Sequence, residues 1–145
     1  MFKQILLPTD GSELSTRAVL AGVSFAKEIG AQVVGMTAVP DFHTVTVDTD
    51  MLESTEDEYL AASEARASQR LATVSNAARE AGVPCNTILV RSDQPYEAIL
   101  HAARQHGCDL IVMASHGRRG IGGVLLGSET QKVLVHSAIP VMVYR

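Results

Sequence analysis

The chain has 145 residues, enough for one domain with a real core. Hydrophobic residues make up 46% and charged residues 19%, the balance of a soluble globular protein, and a net charge of −4 without a basic block argues against nucleic acid as the main partner. No apolar run approaches the roughly 18 residues of a membrane helix, and Phe2-Lys3-Gln4 leads directly into a strand rather than a signal peptide, so a cytoplasmic protein with no membrane partner is expected.

In chain order, Ile5-Leu6-Leu7 is a short apolar run read as the first strand. Pro8-Thr9-Asp10-Gly11-Ser12 ends it, because proline cannot continue a central strand and glycine turns the chain. Ser12 is a good N-cap for a helix over 13–29, whose apolar stripe reads as Leu14, Ala18, Ala21, Val23, Phe25, Ala26 and Ile29, with Gly30 as its stop. Residues 31–39 give the second strand, closed by Pro40, and 41–52 read as a loop. An alanine-rich helix over 52–81 follows, acidic at its start and basic later, a polarity that suits the helix dipole. The third strand spans 84–91. Ser92-Asp93-Gln94-Pro95 then starts a helix over 96–106, with a Ser or Asp cap and proline in its first turn. Residues 110–113 form the fourth strand, 128–136 the last helix and 139–144 the fifth strand.

Strands that are short, continuous and apolar, alternating with helices, predict a five-stranded parallel sheet, order 3-2-1-4-5, with helices on both faces: a three-layer, Rossmann-like α/β fold in a single domain. In such sheets ligands bind beyond the carboxyl ends of the strands, where the strand order reverses. Strands one and four meet there, so Asp10 and the segment after residue 113 are expected to face one crevice. Cys85 and Cys108 sit beside separate apolar runs and read as small core or near-surface thiols, and the histidines at 43, 101, 106, 116 and 136 lack metal-ligand spacing.

The segment 109–130, DLIVMASHGRRGIGGVLLGSET, runs from a buried strand through a glycine-rich loop to a helix start. That order makes an anion site, because glycines admit close backbone approach and the helix start adds unpaired N–H groups with a partial positive charge. Two familiar motifs are excluded. Gly122 to Gly127 fits G-x-x-x-x-G, but Ser128-Glu129 stand where a Walker A loop needs Lys and then Ser or Thr. Gly120-x-Gly122 lacks the third glycine of the dinucleotide fingerprint, since Leu125 is there.

Three segments together resemble the universal stress protein family: ILLPTDGSELS near the start, MASHGRRGIGGVLLGS with its G-x2-G-x9-G-(S/T)-like pattern, and SAIPVMVY at the end. The resemblance covers nearly the whole chain and implies an ATP site. Pro8, Thr9 and Asp10 would lie against the nucleoside, with Asp10 reaching ribose hydroxyls, and Val39 would present backbone groups to the adenine edge. Met113 and Ala114 would close the strand side of the site. Gly117 matches the second motif glycine, Gly127 and Ser128 would hold the phosphates, and Glu129 belongs to the same implied nucleotide site. Ala114 stands where the motif has its first glycine, which adds a methyl close to ribose or phosphate. Mg2+ would accompany the phosphates, because Ser128 alone cannot neutralise them. The resemblance also implies a homodimer through the apolar edge strand that opens at Ile139 and ends at Tyr144.

Arg118 and Arg119 flank the loop and could pair with phosphate or be solvated. His116, Glu129 and Asp93 are the only candidates for a catalytic base, and none has supporting spacing. The expected function is therefore a nucleotide-dependent binding and regulatory module of the stress response. The alternatives are a slow ATP hydrolase of the same fold and a nucleotide-free homodimeric interaction protein.

Overall fold

The computed structural model describes residues 1–41, 49–117 and 125–145, with the backbone alone for 49–55. The elements are β1 (Gln4–Pro8), α1 (Glu13–Ile29), β2 (Gln32–Val39), α2 (Thr49–Ala81), β3 (Cys85–Arg91), α3 (Pro95–Gln105), β4 (Leu110–Ala114), α4 (Ser128–His136) and β5 (Val141–Tyr144). The five strands pair in parallel in the order β3-β2-β1-β4-β5, as the alternation of apolar runs and helices requires. β1 and β4 are neighbours through Ile5 with Leu110 and Leu6 with Ile111, so the order reverses between them.

Two apolar layers sandwich the sheet. Ile5, Leu7, Val33, Leu110 and Val112 point towards α1 and α2, where they meet Val19, Val23, Ala26, Val74 and Ala78. Leu6, Val34, Met36, Ile111 and Met113 point the other way, onto Ala98, Ile99, Ala102, Ala103 and Val133 of α3 and α4. Alternate residues of one strand thus enter different cores, which is why the central strands are apolar throughout. The edge strands β3 and β5 are only partly covered. Among the described residues, no helix is long and apolar enough to cross a membrane.

Five local readings are corrected. α1 buries Ser15, Ala18, Val19, Gly22, Val23 and Ala26, whereas Leu14, Ala21 and Phe25 are half-buried and Ile29 is exposed. The buried stripe is therefore rotated onto small residues: a Cβ at Gly22 would overlap Leu7, so glycine is what lets α1 sit against β1. α2 begins at Thr49, which makes 49–52 helical rather than loop; residues 42–48 lie outside the described set. The α3 cap is Gln94, with no side-chain bond of its own and Pro95 in the first turn, instead of Ser92 or Asp93. β4 runs on to Ala114, and β5 begins at Val141 rather than Ile139.

Both cysteines are free thiols. Burial, with Asp109 beside it, pushes the Cys108 thiol up to about 11, and burial also raises Cys85. With a folded value near 11, about one Cys108 thiol in a thousand is ionised at pH 8, so labelling by a thiol-disulfide reagent is expected only on unfolding. The proton is held more tightly in the folded chain. Stability from this group is therefore present below the ordinary value of 9.0 and lost as pH rises towards 11. Labelling rates at pH 8, native against denatured, check the first expectation; a native rate equal to the denatured one contradicts it.

Candidate functional site

β1 ends at the switch point in a turn built from its own side chains. The Thr9 N–H donates to the Met36 carbonyl at 2.9 Å and carries the β1–β2 ladder one step past Pro8. Its hydroxyl then accepts the Gly11 N–H at 3.1 Å and meets the Ser15 hydroxyl at 3.0 Å, which draws Ser15 of α1 into the interior. Asp10 Oδ1 accepts the Ser12 N–H at 2.9 Å, an Asx turn across Gly11, which takes a positive φ of 79°. Ser12 caps α1 by accepting the Ser15 N–H at 3.2 Å, as its residue type and place predict.

β4 ends at Ala114, whose carbonyl accepts the buried Thr130 hydroxyl of α4 at 3.0 Å. The Ser115 N–H reaches Tyr144 of β5 at 2.8 Å, and the Ser115 carbonyl accepts the Gly127 N–H at 2.7 Å. The Ser115–Gly127 bond thus brings the start of α4 beside the end of β4. Arg118 and Arg119 lie between these two residues in sequence, outside the described residues.

The two strand ends converge. A Cβ on Gly117 would overlap Asp10 Oδ2, and a Cβ on Gly127 would lie 3.2 Å from the Cα of His116 and 3.4 Å from the Ser115 carbonyl. The ends of β1 and β4 therefore meet through Asp10 and Gly117, with Gly127 packed on Ser115 and His116, and a hollow of about 400 Å3 lies beside them between His116, Gly117 and Ser12 to Leu14. α4 starts at Ser128 directly after Gly127, with no side-chain cap among the described residues.

The remaining expected site residues are distributed unevenly. Pro8, Thr9, Met113 and Ala114 are buried, and the Met113 side chain is spent in the α3/α4 core, so backbone is what these positions can offer. Ala114 closes β4 in extended backbone, where alanine carries no strain, so the motif's missing glycine costs nothing in conformation. Val39 is buried and its carbonyl accepts the Ser92 N–H at 2.9 Å, which turns its backbone groups towards β3. Backbone groups alternate between a strand's two edges. Hence Ala38, one residue earlier, is the one facing β1.

Glu129 has a different role in the described geometry. Its Oε2 accepts the Tyr96 N–H at 2.9 Å and its Oε1 the Lys132 ammonium at 3.2 Å, so it caps α3 from α4. Sequence reading missed this because the partners are 33 residues apart. Glu129→Ala is expected to lower stability by about 1 kcal/mol, the usual worth of a cap, measured by urea denaturation. Asp93 is likewise engaged, accepting the Asp41 N–H at 3.1 Å, and His116 Nδ1 lies 3.2 Å from the Ser115 hydroxyl.

The whole sequence, residues 1–145, matches the model of the universal stress protein family. A universal stress protein of Thermus aquaticus is 33% identical over 148 residues, covering 100% of both chains. The chain belongs to the universal stress protein family. The solved structure of MJ0577, a universal stress protein of Methanocaldococcus jannaschii, superposes with a TM-score of 0.83 at 27% identity, over 99% of this chain and 96% of that one. A universal stress protein solved in complex with cAMP shares the fold, with a TM-score of 0.72 at 24% identity over 99% of this chain and 97% of the other. The parallel sheet and its strand order are thus those of universal stress proteins.

Proposed function

We propose that this chain holds ATP, with Mg2+ on its phosphates, in the crevice between the ends of β1 and β4, and acts in the cytoplasm as a nucleotide-dependent binding and regulatory module of the stress response. One observation supports the reading: at the switch point the Asp10 carboxylate lies against Gly117, and Gly127 packs on Ser115 and His116, two residues and one residue before Gly117. Asp10 is the ribose partner, a carboxylate suited to accept from hydroxyls. Gly117 and Gly127 give the phosphates backbone without side chains, and the N–H groups of Ser128 and Glu129 offer them the positive end of α4. The buried Pro8, Thr9, Met113 and Ala114 form the cleft floor, and Ala38, in place of Val39, reads the base. That a protein of this fold holds cAMP supports an adenine nucleotide as the ligand class.

The test is to purify the protein from its host, denature it by heat and identify the released small molecules. Released ATP is the expected result. ADP with repeated turnover of added ATP would point to a hydrolase instead. No nucleotide, with no thermal shift at millimolar ATP, would sink the proposal; at 100 times Kd a ligand adds about 2.7 kcal/mol, which a melt resolves.

A homodimer through β5 belongs to the same proposal. Met142 on this edge strand is 42% exposed, and Leu134 and Val135 on α4 are 40% and 76% exposed, an apolar surface beside an open strand edge. Light scattering at micromolar concentration should give twice the chain mass, and a monodisperse monomer would refute the interface.

A further inference from the structure

The β1–β2 ladder stops one bond early. On the β1 side of β2, the Gln32 N–H donates to the Lys3 carbonyl and the Met36 carbonyl accepts the Thr9 N–H, each at 2.9 Å. On the β3 side, the Val33 N–H reaches Pro84 and the Val39 carbonyl accepts from Ser92. Even-numbered residues of β2 therefore face β1, and a regular parallel ladder continues with the Ala38 N–H donating to the Thr9 carbonyl. That bond is not made. The Thr9 carbonyl accepts the Thr37 hydroxyl at 2.7 Å instead, and the Ala38 N–H has no backbone acceptor among the described residues. Thr37 is a fully buried polar side chain, and its hydroxyl bonds the carbonyl that the next rung of the ladder would use.

We infer that Thr37 is a positioning residue: by taking the Thr9 carbonyl, its hydroxyl holds the Ala38 N–H out of the ladder and free for a hydrogen-bond acceptor on the base of a bound nucleotide. The inference rests on the nucleotide reading for the identity of the ligand, but the open N–H is a property of the chain alone. Ala38 is a partly buried residue, and a backbone donor in such a place is matched by water or ligand, since an unmatched one is costly. Its edge placement also favours bases that carry an acceptor at their hydrogen-bonding edge.

Two variants separate the possibilities. Thr37→Val keeps the shape and removes the hydroxyl, which frees the Thr9 carbonyl for Ala38; Thr37→Ser keeps the hydroxyl. Amide hydrogen exchange without nucleotide is the first readout. The Ala38 N–H should exchange at least tenfold faster than that of Met36 in the parent chain, slow at least tenfold in Thr37→Val, and stay fast in Thr37→Ser. ATP affinity by calorimetry is the second. Thr37→Val should weaken it about tenfold, the worth of one hydrogen bond, and Thr37→Ser should hold it within about twofold. Slow Ala38 exchange in the parent chain overturns the inference, and so does unchanged ATP affinity in Thr37→Val. A parent chain that binds no ATP, yet shows the exchange pattern above, overturns the nucleotide proposal and upholds only the part of the inference in which Thr37 keeps the Ala38 N–H out of the ladder.

Discussion

Gly127→Val is expected to lower ATP affinity by about 100-fold, roughly 2.7 kcal/mol, while the chain still folds. The backbone of Gly127 has φ −69° and ψ 159°, which any residue adopts, so the effect is not conformational strain. It comes from space. A Cβ there already lies 3.2 Å and 3.3 Å from the Cα and Cβ of His116 and 3.4 Å from the Ser115 carbonyl. Two further methyls must either push α4 away from 115–117, weakening the bond from the Gly127 N–H to Ser115, or turn into the cleft where phosphate would stand. Crowding of this kind costs about 1–3 kcal/mol of stability, a deficit the melting temperature reports separately from affinity. Gly127→Ala should fall between parent and valine. Calorimetric titration of both variants with Mg-ATP is the check, and unchanged affinity in the valine variant would place the nucleotide elsewhere.

Gly35→Leu is expected to have the largest effect on stability, a loss of about 3 kcal/mol or more, the upper range for overpacking a dense core. Gly35 lies in the middle of β2, and a Cβ there would be 2.7 Å from Val74 Cγ1 and 2.9 Å from Val74 Cβ. Val74 is fully buried, so it has nowhere to go. A glycine inside a strand thus marks the point where α2 comes down onto the sheet. The smaller change Gly35→Ala should show the mechanism through a double-mutant cycle. Combined with Val74→Ala, which removes the nearer methyl, it should be about 1 kcal/mol less harmful than the two single changes added together. Additive losses in urea denaturation would mean that Gly35 matters for another reason.

The fold was legible because its centre is simple. Ile5-Leu6-Leu7 and the run from Leu110 are apolar on both faces, the mark of strands covered by helices on each side, and the turns between elements carry Gly30, Gly82 and Gly107 at positive φ. What escaped was set by tertiary partners. Ser15 and Gly22 are buried where hydropathy favours Leu14 and Phe25, because Thr9 offers Ser15 a hydroxyl and Leu7 needs the room at Gly22. The cap of α3 comes from Glu129 on another helix, which no local pattern announces. At the candidate site, the convergence of Asp10 with Gly117 followed from strand order alone. Which β2 residue faces β1 did not, because one step in register exchanges Val39 for Ala38.

The most direct measurement is an assigned 15N-amide spectrum of the chain titrated with Mg-ATP. The account predicts saturable shifts at Asp10, Ala38, Gly117, Gly127 and Ser128, with little change at the far ends of the strands. No shifts at millimolar ATP, or shifts confined to the groove that Arg91, His101 and Arg104 line beside β3, would contradict it.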